Sequence, residues 1–193
     1  MDSIIENLMK ELASGDNLSA LSKSVGGDDK TVKSALGMGL PLLLGSMSNN
    51  ASKPGGADVL MKMLTQMGSS NPMDNISAHL SNPEAAGGSG MVSNLFGSQM
   101  VPVQNAISQK TGLPPVAVGK LMAIVTPMIM GHVGKMSTQQ NMDSKGLSNL
   151  LGDQSKMAMQ SSPETANMAK QLLAMQEGSG GGIMGMLKKL LGG

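Results

Sequence analysis

"GLPLLLGSM" at residues 39–47 and "VTPMIMGHV" at residues 125–133 are two apolar runs, each with a proline inside it and a glycine four positions later. A helix that is apolar nearly all round belongs in the middle of a bundle. A proline in its interior removes one backbone hydrogen bond and is expected to kink it. Gly45 and Gly131 are expected to leave room for another helix to come close.

The two runs align as copies. Gly26 pairs with Gly112, Val32 with Val118, Pro41 with Pro127 and Gly45 with Gly131, every pair 86 positions apart. Between and beyond these anchors Leu21 meets Ile107, and Leu42, Leu43 and Leu44 meet Met128, Ile129 and Met130, so the apolar pattern repeats where the letters differ. Farther on, "VLMKML" at 59–64 aligns with "GLSNLL" at 146–151 at an offset of 87, as one inserted loop residue would produce. A fixed offset of this kind marks a duplicated unit. The expected organisation is an N-terminal amphipathic helix at 1–14, a first helical unit at 15–68 and a connecting segment with a short helix at 69–99. A second unit follows at 100–152, then a C-terminal helix at 153–177 and a Gly-rich linker with a short amphipathic tail at 178–193.

The units share their punctuation. A short helix ends at Gly26 in one and at Gly112 in the other, where glycine suits the left-handed C-terminal position. The long helix then starts at "DDKTV", whose acids suit the N-cap and the helix dipole, or at "LPPVAV", whose proline suits the first turn. Outside the units, Ile4, Ile5, Leu8, Met9 and Leu12 fall on one helical face. "DNISAHL" at 74–80 reads as a short helix stopped by Asn82 and Pro83, "EAAGGSG" at 84–90 as flexible, and "MVSNLFGSQ" at 91–99 as bringing the lone aromatic residue, Phe96, into the core. "SSPETANMAKQLLAMQ" at 161–176 carries a helix start signal and the stripe Met168, Leu172, Met175.

Composition agrees with an all-α class. Hydrophobic residues make up 40% of the 193, yet there are 21 Met, one Phe and neither Trp nor Tyr, so the core is left to Leu, Met, Ile, Val and Ala. Strands prefer β-branched and aromatic residues, whereas Leu, Met and Ala favour helices. The fold expected is a compact helical bundle of two related units around kinked, proline-containing central helices.

Charge excludes some partners. Fourteen Lys, no Arg and 13 acids leave a formal charge of +1, with no basic stripe, no bidentate Arg and no aromatic stacking platform for nucleic acid. The absence of Cys excludes a disulfide framework, thiol catalysis and Cys-ligated zinc, and suits a reducing compartment. "MDSIIENLMKEL" has acids where a signal peptide carries positive charge. Gly and Pro interrupt both apolar runs before the roughly 20 residues a membrane span needs, although the second stretches from Val116 to Val133 with only Lys120 inside. A cytoplasmic location is expected.

These residues also resemble a known family. "ALSKSVGGDDKTVKSALGMGLPLLLGSM" at 20–47, followed by a "PGG" loop and a Leu-rich helix, resembles the YidB-like group of bacterial domains of unknown function, domain of unknown function 937. "GSGMVSNLFGSQ" at 88–99, "ISQKTGLPPVAVGKLMAIVTPMIMG" at 107–131 and the Gly-Leu-rich end resemble the other half of its longer members. The resemblance implies a compact all-α domain and supplies no catalytic residues.

Few groups are available for chemistry. His79 and His132 are not spaced as a helical metal pair, and His132 aligns with Ser46, so the repeat gives it no shared role. Asp28 and Asp29 are adjacent and diverge on a helix, which suits capping rather than paired-carboxylate catalysis. No phosphate loop, nucleophile elbow, dinucleotide fingerprint or calcium loop is present. No cofactor, metal site, small-molecule substrate or enzymatic activity is therefore expected. "MKM", "MAM" and "MGM" place Met at i, i+2, which a helix splits across faces, so core filling is preferred to a thioether copper site. Met168, Met184 and Met186 are the candidates for exposure.

The tail "IMGMLKKLLGG" is the strongest functional feature. Ile183, Met184, Met186, Leu187, Leu190 and Leu191, with Lys188 and Lys189, are too few to hold a helix alone in water, so a helix there implies a docking surface. The leading functional expectation is a non-catalytic interaction or assembly module that binds a protein partner or itself through an apolar groove or this tail. Two others stand beside it: a peripheral membrane or lipid-binding protein using the tail, and a metal- or ligand-binding protein or enzyme using His132.

Overall fold

The computed structural model describes residues 3–67, 71–82, 86–161, 163 and 165–167. Among these are nine α-helices and no strand: α1 (Ile4–Leu12), α2 (Gly15–Val25), α3 (Asp29–Ser52), α4 (Gly56–Met67), α5 (Ile76–Ser81), α6 (Gly88–Phe96), α7 (Met100–Thr111), α8 (Pro115–Gln139) and α9 (Ser144–Ser161). Asn82 lies at the end of α5 as the sequence predicts, whereas Pro83 and the tail Ile183–Leu191 lie outside the described residues. So do Met168, Leu172, Met175, Met184 and Met186.

The two long helices are the centre. Leu40, Leu43 and Leu44 of α3 and Met128, Ile129 and Met130 of α8 are at most 1% exposed, and one apolar cluster runs through every helix from α1 to α9. Truncating one such Leu or Met to Ala costs about 2–5 kcal/mol, because the lost transfer energy is joined by a cavity. Both helices run without a break through their buried prolines, Pro41 and Pro127. Around them α9 lies along α3 and α6 along α8, α7 touches both α8 and α3, and α2 touches both α3 and α8.

Local chemistry sets the ends of these helices. α2 stops at Gly26 and α7 at Gly112, each at φ +80°, with the glycine N–H donating to Ser22 O at 2.9 Å and Ser108 O at 2.8 Å. An L side chain is strained at that φ. Asp28 caps α3: one carboxylate oxygen accepts Thr31 N–H at 2.9 Å and the other Thr31 Oγ1–H at 2.6 Å. Those bonds hold its carboxyl below the usual carboxylate range. Pro115 opens α8 at its first turn.

Between the units the structure departs from expectation. The segment 69–99 holds two helices, α5 and α6, and the "flexible" glycines are the start of α6. Gly87, at φ +66°, turns the chain, and Gly88 is buried so close to α8 that a Cβ there would overlap the Ala123 carbonyl. The glycines serve a left-handed turn and a backbone-to-backbone approach, not freedom. Phe96 is half-buried; Val92 and Leu95 are the deeper anchors of α6.

Candidate functional site

Along the second half of α3 the packing opens into a cleft of about 570 Å³. One wall is Leu42, Gly45, Ser46 and Asn49 of α3 with Lys53 just past its end; the others are the turn from Leu95 to Gln99, Val103 of α7, and Ser155 and Met159 of α9. The turn is tied down by α3. Leu95 O accepts Ser46 Oγ–H at 2.7 Å and Asn50 Nδ2–H at 3.0 Å, and Asn50 also reaches Ser46 O at 3.0 Å. Lys53 Nζ donates to Asn50 Oδ1 at 3.2 Å, which places a cation at the C-terminal end of α3 where the helix dipole favours it. Gln99 Oε1 is buried and finds no hydrogen-bond partner among the described residues.

Gly45 lies in this cleft. A Cβ on it would stand 3.0 Å from Met159 Cε and 3.6 Å from Ser155 Oγ, so the close neighbour is a helix, α9. Gly131 is different. Its would-be Cβ overlaps the side-chain amide of Asn71, whose Nδ2 donates to Gly131 O at 3.0 Å while its Oδ1 accepts Met73 N–H at 2.9 Å. A loop side chain, not a helix, occupies the space expected for a helix at Gly131. Gly26 and Gly112 end their helices and Pro41 and Pro127 lie buried in theirs.

The histidines separate. His79 is 8% exposed on α5 and its Nε2 bonds Ile124 O at 2.8 Å, a structural use. Because a carbonyl only accepts, the proton sits on Nε2. His132 is half-buried on α8; desolvation lowers its pKa below 6.5, with Glu11 opposing that shift and Lys135 adding to it. Among the described residues no group of three or more His, Cys, Asp or Glu side chains comes together as metal ligands would. The cleft's own polar residues, Asn49, Asn50, Lys53 and Gln99, were not legible in the sequence because they come from two segments with no motif between them.

Among the described residues α8 is the one helix long and apolar enough to cross a membrane, and 72% of its most apolar window is covered by the rest of the protein. A bundle's central helix has that property as well.

The family model for bacterial proteins of unknown function, DUF937, matches residues 7–136. No curated protein and no solved structure matches the chain.

Proposed function

Since the chain belongs to the DUF937 family of bacterial proteins of unknown function, we propose that it is a non-catalytic helical interaction module whose cleft takes an amphipathic helical segment of a protein. The observation that carries this reading is the lining. Leu42, Leu95, Phe96 and Met159 offer an adaptable apolar floor, and Lys53 is the cleft's one charged side chain among the lining residues. Helix-in-groove recognition needs such a floor with a polar rim. Reacting substrates need converging titratable groups, and Lys53 is the one such side chain in the lining. The thioether of Met159 in that floor also adjusts to a partner's shape.

A labelled peptide of residues 183–193 tests the reading when titrated into the chain ending at Glu177. Saturable binding that Met159→Lys removes is expected. If the peptide fails to bind, the cleft does not take this class of ligand.

A further inference from the structure

We infer that the chain is a fused dimer: its two units, α1 to α4 and α6 to α9, recognise each other as two copies of one protein do, through an isologous surface with an exchanged fourth helix. The partner that this surface fits is a second copy of the unit. The inference is independent of what the cleft binds.

Equivalent positions of the two units meet. A Cβ on Gly27 would stand 2.6 Å from Leu113 Cδ1, and Ser144 Oγ donates to Asp58 Oδ1; both pairs are 86 positions apart. A two-fold axis brings residues onto their own equivalents, and away from the axis it makes each contact occur twice. The second part of that rule holds as well. α7 reaches α3 as α2 reaches α8, α6 reaches α3 as α1 reaches α8, and α9 lies on α3 as α4 lies on α8. At residue level, a Cβ on Gly45 of α3 would meet Met159, and one on Gly131 of α8 would meet Asn71. At the later offset of 87, Met159 falls on Pro72, the neighbour of Asn71.

The fourth helices lock the units together. α9 packs along α3 of the first unit and against α4, rather than along its own α8. Its Leu147, Leu150, Leu151 and Ala158 are buried. With the first unit taken away, that apolar face would be left to water, and burying it again is what drives the units to pair. Polar bonds take the same route between units. Ile4 N–H of α1 donates to Gln154 Oε1 of α9 at 2.8 Å, and Ser137 Oγ–H of α8 donates to Met61 Sδ of α4 at 3.7 Å. Independent domains would each hold a core of their own and meet through a more polar surface. Here one apolar cluster takes in both units.

A protease site inserted between Glu84 and Ala85 lets the folded full chain be cut between the units. The pieces should elute together at the mass of the uncut chain and keep its helical circular dichroism. They should melt in one transition whose Tm rises by about 5–10 °C over a roughly hundredfold range of concentration, because unfolding now separates two molecules. The Tm of the uncut chain should stay fixed. Pieces that elute apart with their helices intact would overturn the inference, as would a cut protein whose Tm ignores concentration. A second measurement needs no insertion. The chain has no Cys of its own, so Asp58→Cys with Ser144→Cys should give an intramolecular disulfide. Its yield should be roughly tenfold above that of Asp58→Cys with Val116→Cys, since a disulfide forms only between close Cα atoms. Val116 is 72% exposed and lies at the other end of α8 from Ser137, where α4 packs. Equal yields, or links between chains only, would overturn the pairing of the two units within one chain.

Discussion

His79 Nε2 donates to Ile124 O at 2.8 Å, one residue past the carbonyl that Pro127 leaves without its intrahelical donor. Proline has no N–H to give to the carbonyl four residues back, here Ala123 O, and Gly88 of α6 packs against that same oxygen. α5 and α6 thus close over the weak point of α8. Replacing His79 by Leu keeps much of the volume and removes the bond. The loss expected is about 1–3 kcal/mol, as for a buried partner left unpaired, and roughly 2–4 °C in Tm for each kcal/mol. An unchanged melting curve would show that the bond is not structural.

Two glycines beside the prolines should respond in opposite directions. Gly88→Ala places a methyl group into the Ala123 carbonyl, a backbone atom that cannot rotate away, so a loss of about 1–3 kcal/mol is expected. Gly37 sits four residues before Pro41 as Ala123 does before Pro127, and a Cβ there meets nothing within 4 Å. Gly37→Ala should therefore gain about 0.5–1 kcal/mol from helix propensity and a stiffer unfolded chain. Thermal melts of the two variants that move together would contradict this account.

The helix ends were legible in the sequence because their causes are local. Gly26 and Gly112 stop helices through their own backbone freedom, and Asp28 caps one through an oxygen three residues from its donor. The all-α class followed from the same short-range chemistry and from a residue set poor in strand formers. Gly88 was not legible as packing, because composition alone cannot distinguish a glycine that turns freely from one that lets two backbones touch. The cleft depends on Ser46 and Asn50 holding a carbonyl 45 or more residues away, and no periodicity reports a pairing of that range.

Acid should find His132. Burial favours its neutral ring, so the folded protein binds this proton less readily than the unfolded chain. The group costs nothing well above the ordinary value of about 6.5, and stability falls as pH drops through that value toward the lower folded pKa. His132→Asn should therefore gain on the parent between about pH 7 and pH 5.5. Glu11→Gln, which removes the opposing carboxylate, should steepen the parent's decline. Parallel stability profiles for parent and His132→Asn would count against a perturbed ring.

α1 is held to α9 by one buried amide. Ile4 N–H donates to Gln154 Oε1 at 2.8 Å, across 150 positions, and Gln154 is 1% exposed. Gln154→Met fills the space without offering an acceptor and leaves the Ile4 N–H unsatisfied at a cost of about 1–3 kcal/mol. Because the contact belongs to α1, the effect should be local first. Hydrogen exchange should accelerate at residues 4–12 well beyond the rest of the bundle. Uniform acceleration would show that α1 does not open on its own.

Gly45 and Gly131 are the same position in the repeat and should not behave alike. At Gly45 the nearest atom to an added methyl is the terminal carbon of Met159, which can swing away, so Gly45→Ala should be neutral or gain up to about 1 kcal/mol. At Gly131 the methyl displaces the Asn71 amide, which holds both Gly131 O and the Met73 N–H. Gly131→Ala should cost about 1–3 kcal/mol. Asn71→Ala should lose its own two bonds, yet it also removes the atom in the way. The double variant should then be more stable than the sum of the single losses implies, by about 0.5–3 kcal/mol, as coupled neighbours are. Additive losses in the thermodynamic cycle would mean that Asn71 and Gly131 act independently, and the closed surface on α8 would lose the contact that distinguishes it from the open cleft on α3.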